Sequence, residues 1–464
     1  MTMQLEHLRA ELEKPLAQRH WVLFALTPVL YILSFIYFVI VELRMQIYRS
    51  KIRLPNLPVV SCGNLAAGGT GKSPLVRNLA IDFLQRGYAV CVLSRGYGTG
   101  PNSQGIYFEA AALEAEHQSA VLKTKRNKRN RIKRLAKEDL SDESLELLFF
   151  VRRHEAAGDV HWPRLVIAQY RHRKTVVDSL AEIFPKSFGS ETQSVRAVSQ
   201  TAGGCQELFE AHSSRKCLVL LDDGMQHTQC ARHVDICVWS LESFLRAPRY
   251  CFPMGIYREG FGPFFRRAAS RAQIHVWNRA QPELFEPGRI EFAQILGDKN
   301  LFPKSSHWLM GYKSIWAKQI QEKDGSSCEL AVLVGDGRPQ FAKHAEFCVV
   351  TGIGSPQRYV KHLQQSFAIE SEKLRTHHFR DHEPYNQNIG SVFRSAQGQI
   401  FFLTLKDWLR WSVVPNFRTD TAGKEVYVCL IQAGLQPSQG VQDLSDLLVS
   451  MLVSIQNQPR VTAS

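Results

Sequence analysis

A glycine-rich turn carries the clearest chemical signal in this sequence. Residues 63–74 read Gly-Asn-Leu-Ala-Ala-Gly-Gly-Thr-Gly-Lys-Ser-Pro, between an apolar run that is typical of a strand and a segment typical of a helix. Glycines let backbone N–H groups approach phosphate oxygens, and the start of a helix adds its dipole. The turn therefore predicts a nucleotide-binding P-loop, although the strict pattern has glycine where this chain has Ala66.

The side chains of this loop and of a second motif predict a site for ATP and Mg²⁺. Lys72 is expected to neutralise the β and γ phosphates, and the Ser73 hydroxyl to coordinate the metal. An apolar run, Leu218–Leu221, ends in Asp222 and Asp223, and a P-loop needs an acidic residue in such a place. One of these carboxylates is expected to reach Mg²⁺, directly or through water. The predicted nucleotide-binding residues are Gly68, Gly69, Thr70, Gly71, Lys72 and Ser73, and the predicted metal ligands are Ser73, Asp222 and Asp223.

Two neighbouring features leave alternatives open. Adjacent carboxylates at the end of a strand also cap helices, but the P-loop favours the metal. His227 lies four residues after the pair, so it either orients that group or is an ordinary core histidine. A dinucleotide-binding fold is disfavoured, because no G-x-G-x-x-G follows the first strand.

The elements that must position these residues alternate along the chain. Strands are predicted at residues 57–62, 88–94, 164–168, 216–221, 234–239 and 274–278, then at 347–351, 399–404 and 425–431, with helices such as 73–87 and 174–184 between some of them. This alternation predicts a parallel sheet with helices on both faces. Residues 281–340 are scattered with Gly and Pro and are predicted to be an irregular linker.

The predicted fold class is α/β. It consists of a P-loop NTPase-like parallel sheet domain, a second, smaller α/β domain and an N-terminal membrane-associated helix. The predicted boundaries are 1–50 for the helix, 51–282 for the P-loop domain and 283–464 for the linker and C-terminal domain.

The segment Trp21–Val41 carries no charged residue, and it is long enough for a membrane span. No small-residue cleavage site follows it, so a retained anchor is expected rather than a signal peptide. Pro28 and Ser34 interrupt the run, and a helix lying in the membrane interface competes with a full span. A buried soluble helix is the less favoured alternative. Basic residues directly after the run place the body of the protein on the cytoplasmic side.

The whole chain is basic, with a formal charge of +14 and a pI near 9.3, which favours anionic partners. Lys123–Lys137 holds nine basic residues in fifteen positions. Such a run is usually a solvated insertion, and its functional alternative is a hold on anionic lipid. Nucleic acid is not expected, because no nucleic-acid motif or aromatic interleaving accompanies the charge. The 10 cysteines are scattered singly, which predicts small buried residues rather than disulfides or a zinc site.

Through these and further motifs, the chain resembles the tetraacyldisaccharide 4'-kinases, P-loop kinases that phosphorylate the lipid A precursor. The resemblance covers roughly Trp21 to Asp407, and the absent first P-loop glycine is a habit of that family. It is carried by motifs in the family's order, which are Gly63-Asn64 with Gly68–Pro74, Ser94–Gly98, Asp222–His227, Pro253–Glu259, Gly352–Pro356 with Arg358-Tyr359, Asp381-His382 and Thr404–Asp407.

The resemblance implies roles for further residues. Asp142 of Asp142-Glu143 matches the aspartate implicated in activating the sugar hydroxyl, and His382 matches the histidine that supports this base. Arg173 and Arg258 match basic residues near the phosphates or the substrate. The chain departs from the family at Ser141 and Ser144, where the family has Gly and Pro, and at Leu405, where it has Glu.

The function implied is transfer of the γ-phosphate of ATP to the 4'-hydroxyl of a tetraacyldisaccharide 1-phosphate, at the cytoplasmic face of the bacterial inner membrane. An Asp polarised by a His is a reasonable acceptor for the proton of a weakly nucleophilic sugar hydroxyl. The expected partners are the lipid disaccharide and an anionic membrane surface. The alternative is a membrane-tethered nucleotide-binding module that has lost kinase activity, motivated by the three departures and by insertions at about 114–140 and 189–214.

Overall fold

The computed structural model describes two compact units. Its described residues are 8, 11–49, 57–67, 70–96, 104–108, 135, 139–157, 165–170, 217–227, 230–278, 302, 305–321, 328–333, 339–342, 345–353, 356–395, 399–437 and 443–456. The smaller unit takes its described residues from Met1–Glu11, Ser141–Leu147 and Tyr312–Gly434, and the larger unit takes them from Leu12–Leu140, Leu148–Gly311 and Leu435–Ser464.

Strands and helices alternate through much of the described chain. The strands are β1 (Val59–Gly63), β2 (Ala89–Ser94), β3 (Gly105–Phe108), β4 (Leu165–Gln169), β5 (Cys217–Asp222), β6 (Val234–Ser240), β7 (Ile274–Asn278), β8 (Ser306–Gln321), β9 (Cys328–Val332), β10 (Glu346–Thr351), β11 (Leu374–His378), β12 (Gln399–Thr404) and β13 (Glu425–Pro437). The helices are α1 (Trp21–Ala25), α2 (Thr27–Arg49), α3 (Lys72–Gln85), α4 (Asp142–Ala156), α5 (Leu241–Arg246), α6 (Phe265–Ala269), α7 (Pro356–Phe367), α8 (Gln387–Ser395), α9 (Leu405–Trp411), α10 (Pro415–Thr421) and α11 (Leu444–Gln456). Short 3₁₀ turns lie at Leu16–Gln18, Gly262–Phe264 and Ser371–Lys373.

The larger unit is built on a mostly parallel sheet. Its strand order is β8-β7-β6-β1-β5-β2-β4-β3, and only the β3–β4 pair is antiparallel. The central strands β1, β2 and β4 are buried at every position, as expected of parallel strands covered on both faces. Helix α3 packs against β1, β2 and β5 through its apolar face, which includes Leu75, Leu79 and Phe83.

The smaller unit has its own core and a sheet whose strands β10 to β13 pair in parallel. Its strand order is β11-β10-β12-β13-β8, and β8 enters it at Tyr312, so that only the second half of β8 belongs here and pairs with antiparallel β9. The core gathers Trp316, Phe347, Leu363 and Phe402 from β8, β10, α7 and β12. Helices α8 and α10 pack against each other.

Helix α2 is the one helix of the described residues that is long and apolar enough to cross a membrane. It also packs along the larger unit. Tyr31, Phe35 and Phe38 contact the ring of Phe261 at centroid distances of 5.0, 5.6 and 6.0 Å. The fully buried Ser34 hydroxyl donates to the carbonyl of Cys251 at 2.7 Å. One face of the helix is therefore part of the folded unit.

The other face of α1 and α2 is exposed and apolar. Its large exposed side chains include Trp21, Phe24, Ile32, Ile36, Ile40, Leu43 and Ile47. A contiguous apolar surface of this kind marks an interaction site rather than ordinary solvent-exposed surface.

The predicted α/β class is confirmed, but four strands were not expected. Residues 281–340 contain β8 and β9, because the Pro and Gly residues of that stretch fall mostly outside the alternating segment Ser306–Gln321. Strand β11 was not predicted because its residues after Leu374 are polar and exposed, as an edge strand allows. The short antiparallel β3 also went unpredicted.

Other expectations stay untested. The predicted helix 174–184 and most of the basic run 123–137 lie outside the described residues. The predicted domain boundaries stay predictions. Nine cysteines lie among the described residues; all of them are free, and seven are buried.

Candidate active site

The P-loop lies at the carboxyl end of β1, and the topology brings Asp222 and Asp223 to the same edge. Strand β1 pairs in parallel with β5, with Cys62 opposite Asp222, so both loops leave the sheet on one side. Gly71 caps the start of α3 with φ +85°, a left-handed conformation that favours glycine. Ligands in such sheets bind at this carboxyl edge.

Two cations flank the carboxylate of Asp223. The Lys72 ammonium lies 3.5 Å from Asp223 Oδ1, and Arg258 Nη1 donates to Oδ1 and Oδ2 at 3.0 and 3.1 Å. Hydrogen bonds between charged partners are the stronger kind, and they are shielded here because the Asp223 side chain is only 11% exposed. The arrangement sets two positive groups beside the start of α3, where an anionic phosphate is favoured.

Two amide side chains fix the position of these charges. Lys72 Nζ also donates to Asn64 Oδ1 at 3.0 Å, and Asn64 Nδ2 donates to the carbonyl of Ala66 at 2.6 Å. Gln226 Nε2 donates to the Asn64 carbonyl at 2.6 Å, while its Oε1 accepts from Arg258 Nη1 at 3.1 Å. Asn64 and Gln226 therefore connect the P-loop to the residues that follow β5.

The segment before Arg258 pairs directly with the start of the P-loop. Ala67 N donates to Ile256 O at 2.8 Å, and Arg258 N donates to Leu65 O at 2.7 Å. Next in sequence, the Glu259 carboxylate is buried and paired with Arg271. Burial raises the pKa of Glu259 despite this partner. Backbone pairing thus places the Arg258 side chain at Asp223.

A second cluster lies in the smaller unit around Asp142, the first residue of α4. His382 Nδ1 lies 2.5 Å from Asp142 Oδ2, and Arg410 of α9 contacts both carboxylate oxygens. Burial opposes the charged form of Asp142, but the hydrogen bonds from His382 and Arg410 outweigh it and lower its pKa to about 2. The hydrogen bond to Asp142 in turn raises the pKa of His382. The carboxylate is therefore ionised throughout the neutral range.

A second ion pair lies beside this cluster. Lys406 Nζ donates to Glu143 Oε1 at 2.9 Å. Burial opposes both charges, yet the pair lowers the pKa of Glu143 and raises that of Lys406. Lys406 and Arg410 lie four residues apart on α9, so one face of this helix meets the adjacent carboxylates Asp142 and Glu143.

Buried Asp407 organises the backbone that carries His382. Its carboxylate accepts hydrogen bonds from Thr351 Oγ1 and Thr404 Oγ1, both at 2.7 Å, and from Gly352 N at 3.1 Å. Burial raises its pKa despite these donors. The Gly352 carbonyl accepts from His382 N at 3.2 Å, and His382 has a left-handed φ of +62°. Strained backbone of this kind is often found at functional sites.

Comparisons with known proteins identify the family to which this site belongs. The family model for tetraacyldisaccharide-1-phosphate 4'-kinase matches residues 26–118 and 191–449. The chain belongs to the tetraacyldisaccharide 4'-kinase family.

Individual relatives agree with this family. The tetraacyldisaccharide 4'-kinase of Chlorobium phaeovibrioides is 26% identical over 392 residues, which cover 82% of this chain and 85% of that protein. That of Nitratidesulfovibrio vulgaris is 26% identical over 363 residues, which cover 78% and 77%. The crystal structure of LpxK from Aquifex aeolicus in complex with ATP has a TM-score of 0.52 and 19% identity, and covers 94% of this chain and 99% of that one. The last comparison supports the fold.

Most of the predicted tetraacyldisaccharide 4'-kinase residues fall in two groups. Thr70, Gly71, Lys72, Ser73, Asp222, Asp223 and Arg258 lie in the larger unit, and Asp142 and His382 meet in the smaller one. Gly68, Gly69 and Arg173 lie outside the described residues.

Some residues that contact these two groups in this tetraacyldisaccharide 4'-kinase family member were not predicted. Asn64 and Gln226 belong to family motifs but had no assigned role, and Arg410 lies outside every motif. His227 accepts a hydrogen bond from Arg95 Nε at 2.9 Å, so its partner comes from the Ser94–Gly98 motif.

Proposed function

We propose that this chain transfers the γ-phosphate of ATP to the 4'-hydroxyl of a tetraacyldisaccharide 1-phosphate in lipid A biosynthesis. The observation that carries the proposal is the position of Lys72, held by Asn64 beside Asp223 and Arg258 at the start of α3. Family membership supports the lipid acceptor.

At the nucleotide end, the P-loop backbone and Lys72 hold the β and γ phosphates. Arg258 adds a second positive group for the charge on the transferring phosphoryl oxygens. Asp223 keeps both cations in place through its contacts with Lys72 and Arg258. In the free protein these contacts hold the cations ready for a phosphate.

The residues present fit a magnesium ion. Mg²⁺ prefers hard oxygen ligands and is usually held by one or two carboxylates together with substrate phosphates. Ser73 in the first turn of α3 supplies a hydroxyl, and Asp222 at the end of β5 supplies a carboxylate. The neighbouring Asp223 carboxylate contacts the side chains of Lys72 and Arg258. Ser73 and Asp222 would therefore hold the ion, and Asp223 would hold Lys72 and Arg258 beside it. When bound, Mg²⁺ neutralises charge between the β and γ phosphates.

At the acceptor end, Asp142 accepts the proton of the 4'-hydroxyl. As that proton leaves, the hydroxyl oxygen forms a bond to the γ-phosphorus, the bond between this phosphorus and the β–γ bridging oxygen breaks, and ADP departs. A carboxylate with a low pKa suits this role, because the transition state is loose and the nucleophile loses its proton late. The hydrogen bond to Asp142 raises the pKa of His382, and the same contact stabilises the ionised carboxylate until the transfer.

The departures that motivated an inactive alternative leave the acceptor cluster intact. The buried Ser141 and Ser144 hydroxyls hydrogen-bond to each other at 3.0 Å next to Asp142. Leu405 is buried, while Lys406 on the same helix still pairs with Glu143. None of the three changes removes a partner of Asp142, so these departures give no reason to expect loss of catalysis.

The exposed apolar face of α1 and α2 supports a location at a membrane. We assign the protein to the cytoplasmic face of the bacterial inner membrane, where this face lies among the lipid tails and the basic chain meets anionic headgroups. Packing of Tyr31, Ser34 and Phe38 against the larger unit favours a helix lying in the interface over a full span.

A lipid kinase assay tests the reaction. The full-length protein in detergent micelles is incubated with γ-labelled ATP, Mg²⁺ and the tetraacylated disaccharide 1-phosphate. Label is expected in the lipid, at the 4' position, with loss of transfer when EDTA is added. Absence of labelled lipid from folded, ATP-binding protein at every detergent ratio would overturn the proposal.

A further inference from the structure

We propose that Arg410 is a positioning residue that fixes the Asp142 carboxylate and leaves its Oδ1 available for the acceptor hydroxyl. This inference rests on the proposed function of Asp142 as the proton acceptor. Arg410 lies outside the motifs shared with the family, and its role follows from three contacts.

The donors around the Asp142 carboxylate are distributed unequally. Oδ2 accepts from both His382 Nδ1, at 2.5 Å, and Arg410 Nη2. Among the described residues, the hydrogen bond to Oδ1 comes from Arg410 Nε at a long 3.3 Å. An ionised carboxylate has about four lone-pair sites over its two oxygens. Oδ1 is therefore the oxygen with more capacity for an incoming hydroxyl.

Arg410 is itself held in place from other directions. Its Nη1 donates to the carbonyl of Glu383 at 3.2 Å and lies 3.6 Å from the carboxylate of Asp407. Its side chain is 13% exposed. The planar guanidinium can point donors at a carboxylate and a carbonyl at once, which an ammonium on a flexible stem cannot reproduce. Arg410 therefore fixes the plane of the carboxylate as well as its charge.

Arg410 also links Asp142 to the backbone that carries its other partner. The carbonyl of Glu383, which accepts from Arg410, follows His382 directly in the chain. The carboxylate of Asp407, which faces Arg410, binds the N–H of Gly352, and the Gly352 carbonyl accepts from His382 N. Loss of the guanidinium would free the carboxylate to rotate about its χ angles while His382 kept its own backbone support.

The charges that face Asp142 set the expected pH effect. They are the cations Arg410, His382 and Lys406 and the anion Glu143. The anions Asp407 and Asp381 face Arg410 and His382. Removing one adjacent cation raises the pKa of a carboxylate by about 1–3 units. Since the catalytic form is ionised, the acid limb of kcat would move to higher pH.

The test compares R410M and R410K with wild type and with R394Q. Arg394 pairs with Asp420 at 2.8 Å in the same unit but is 53% exposed, so R394Q is a matched loss of an ion pair outside the site. For each protein, kcat and both KM values are measured in the lipid kinase assay from pH 3 to 9, a range in which an acid limb raised from the pKa of about 2 of Asp142 becomes visible. ATP binding and thermal melting at each pH are the folding controls.

For R410M we expect kcat to fall by about 10²-fold, as for loss of one oriented catalytic contact, with the KM for ATP unchanged. Its acid limb is expected to rise by about 1–3 pH units. R410K keeps the positive charge but loses the planar array of guanidinium donors. The acid limb of its pH profile should therefore stay near that of wild type, while its kcat still falls. R394Q should match wild type in both.

Three outcomes would overturn the inference. They are wild-type kcat in R410K, an unchanged profile in R410M, or a fall in kcat of R410M without movement of the acid limb, as a merely structural role would give. If R410M does not melt cooperatively, R410K alone decides. Failure of the proposed function is seen separately, as absence of transfer by the wild-type protein.

Discussion

At the scale of single residues, the candidate site contains two kinds of residue. Some belong to local sequence motifs, and others act through a partner that lies far away in the chain. Lys72 and Asp222 were predictable because each sits in a local pattern whose chemistry is known. The role of His382 was predicted only from the resemblance to the family. Arg410 was not predictable, since it reaches Asp142 across 268 positions and no local pattern encodes such a contact. Asn64 had a motif but no role, because its amide acts only through the folded loop.

The variant Lys72→Ala tests the nucleotide end. Loss of a preorganised charge at the transferring phosphate is expected to lower kcat by about 10²–10³-fold. Melting temperature should change little, since Lys72 is a partly exposed side chain at the surface of the loop. Lys373→Ala is the control, because Lys373 pairs with neighbouring Glu370 away from the nucleotide end and is 42% exposed. Equal activity of the two variants in the lipid kinase assay would contradict the assignment.

At the scale of elements, the sequence predicted the parallel strands well and the second half of the molecule less well. Buried strands such as β2 and β5 are continuous apolar runs that end in polar or glycine-rich turns. Strand β8 was hidden because it mixes polar residues with Trp308, Met310 and Trp316 and is flanked by Gly and Pro. Edge strand β11 keeps one buried residue, so it has almost no hydrophobic signal.

The turn after β10 is expected to be sensitive to a single methyl group. A Cβ at Gly352 would come within 2.8 Å of the carbonyl of Arg380, so the backbone near His382 must move. We expect Gly352→Ala to lower kcat by about tenfold or more, because small displacements of a catalytic group are costly. Gly434→Ala is the matched control, since its Cβ would meet nothing within 4 Å. Wild-type kcat in Gly352→Ala would contradict the expectation.

Neighbouring strands β7 and β8 carry a pair of neutral histidines, the buried His275 and the partly buried His307, which gives a pH dependence of stability. His275 and His307 face each other across the strands and accept hydrogen bonds from Trp239 Nε1 and Trp277 Nε1, at 2.8 and 3.1 Å. Burial lowers the pKa of His275 well below its usual value and that of His307 to about 4. The unfolded chain takes up these protons near pH 6.5, before the native state does. Stability from this pair is therefore full above about pH 6.5 and is lost as the pH falls towards 4.

Urea unfolding in detergent at pH 7.5 and 5.0 measures this effect. We expect the wild type to lose stability over this interval, with each histidine adding a slope of up to about 1.4 kcal/mol per pH unit. His307→Gln removes one of the titrating groups and should flatten the slope. His20→Gln replaces an exposed histidine and should leave it unchanged. The same slope in all three proteins would show that the histidine pair does not titrate on unfolding.

At the scale of the whole molecule, composition predicted membrane contact but not its geometry. The uncharged run Trp21–Val41 has the length of a span, and nothing in it says that Ser34 and Phe38 pack against residues more than 200 positions later. The polar Ser34 was read as an interruption of the apolar run. The fold gives it a partner, the carbonyl of Cys251.

The exposed face of α2 is expected to determine membrane binding. Ile40 is 59% exposed on this helix, and Ile320 is 56% exposed on β8. Ile40→Asp removes apolar area and adds a charge, so partition onto vesicles of anionic and zwitterionic lipid should weaken about tenfold or more. Ile320→Asp makes the same exchange elsewhere and should bind as wild type. The measurement is vesicle co-sedimentation, and equal binding of the two variants would contradict the expectation.

The contact of Ser34 with Cys251 also has a consequence in time. The two residues are separated by 217 positions, and ribosomes add roughly 5–20 residues per second, so about 10–40 s pass between the synthesis of α2 and that of the surface on which it packs. During this interval the helix has no native partner, and its aromatic and apolar side chains must be kept from aggregating. We expect the nascent helix to enter the bilayer first, so that the enzyme folds onto a helix already at the membrane.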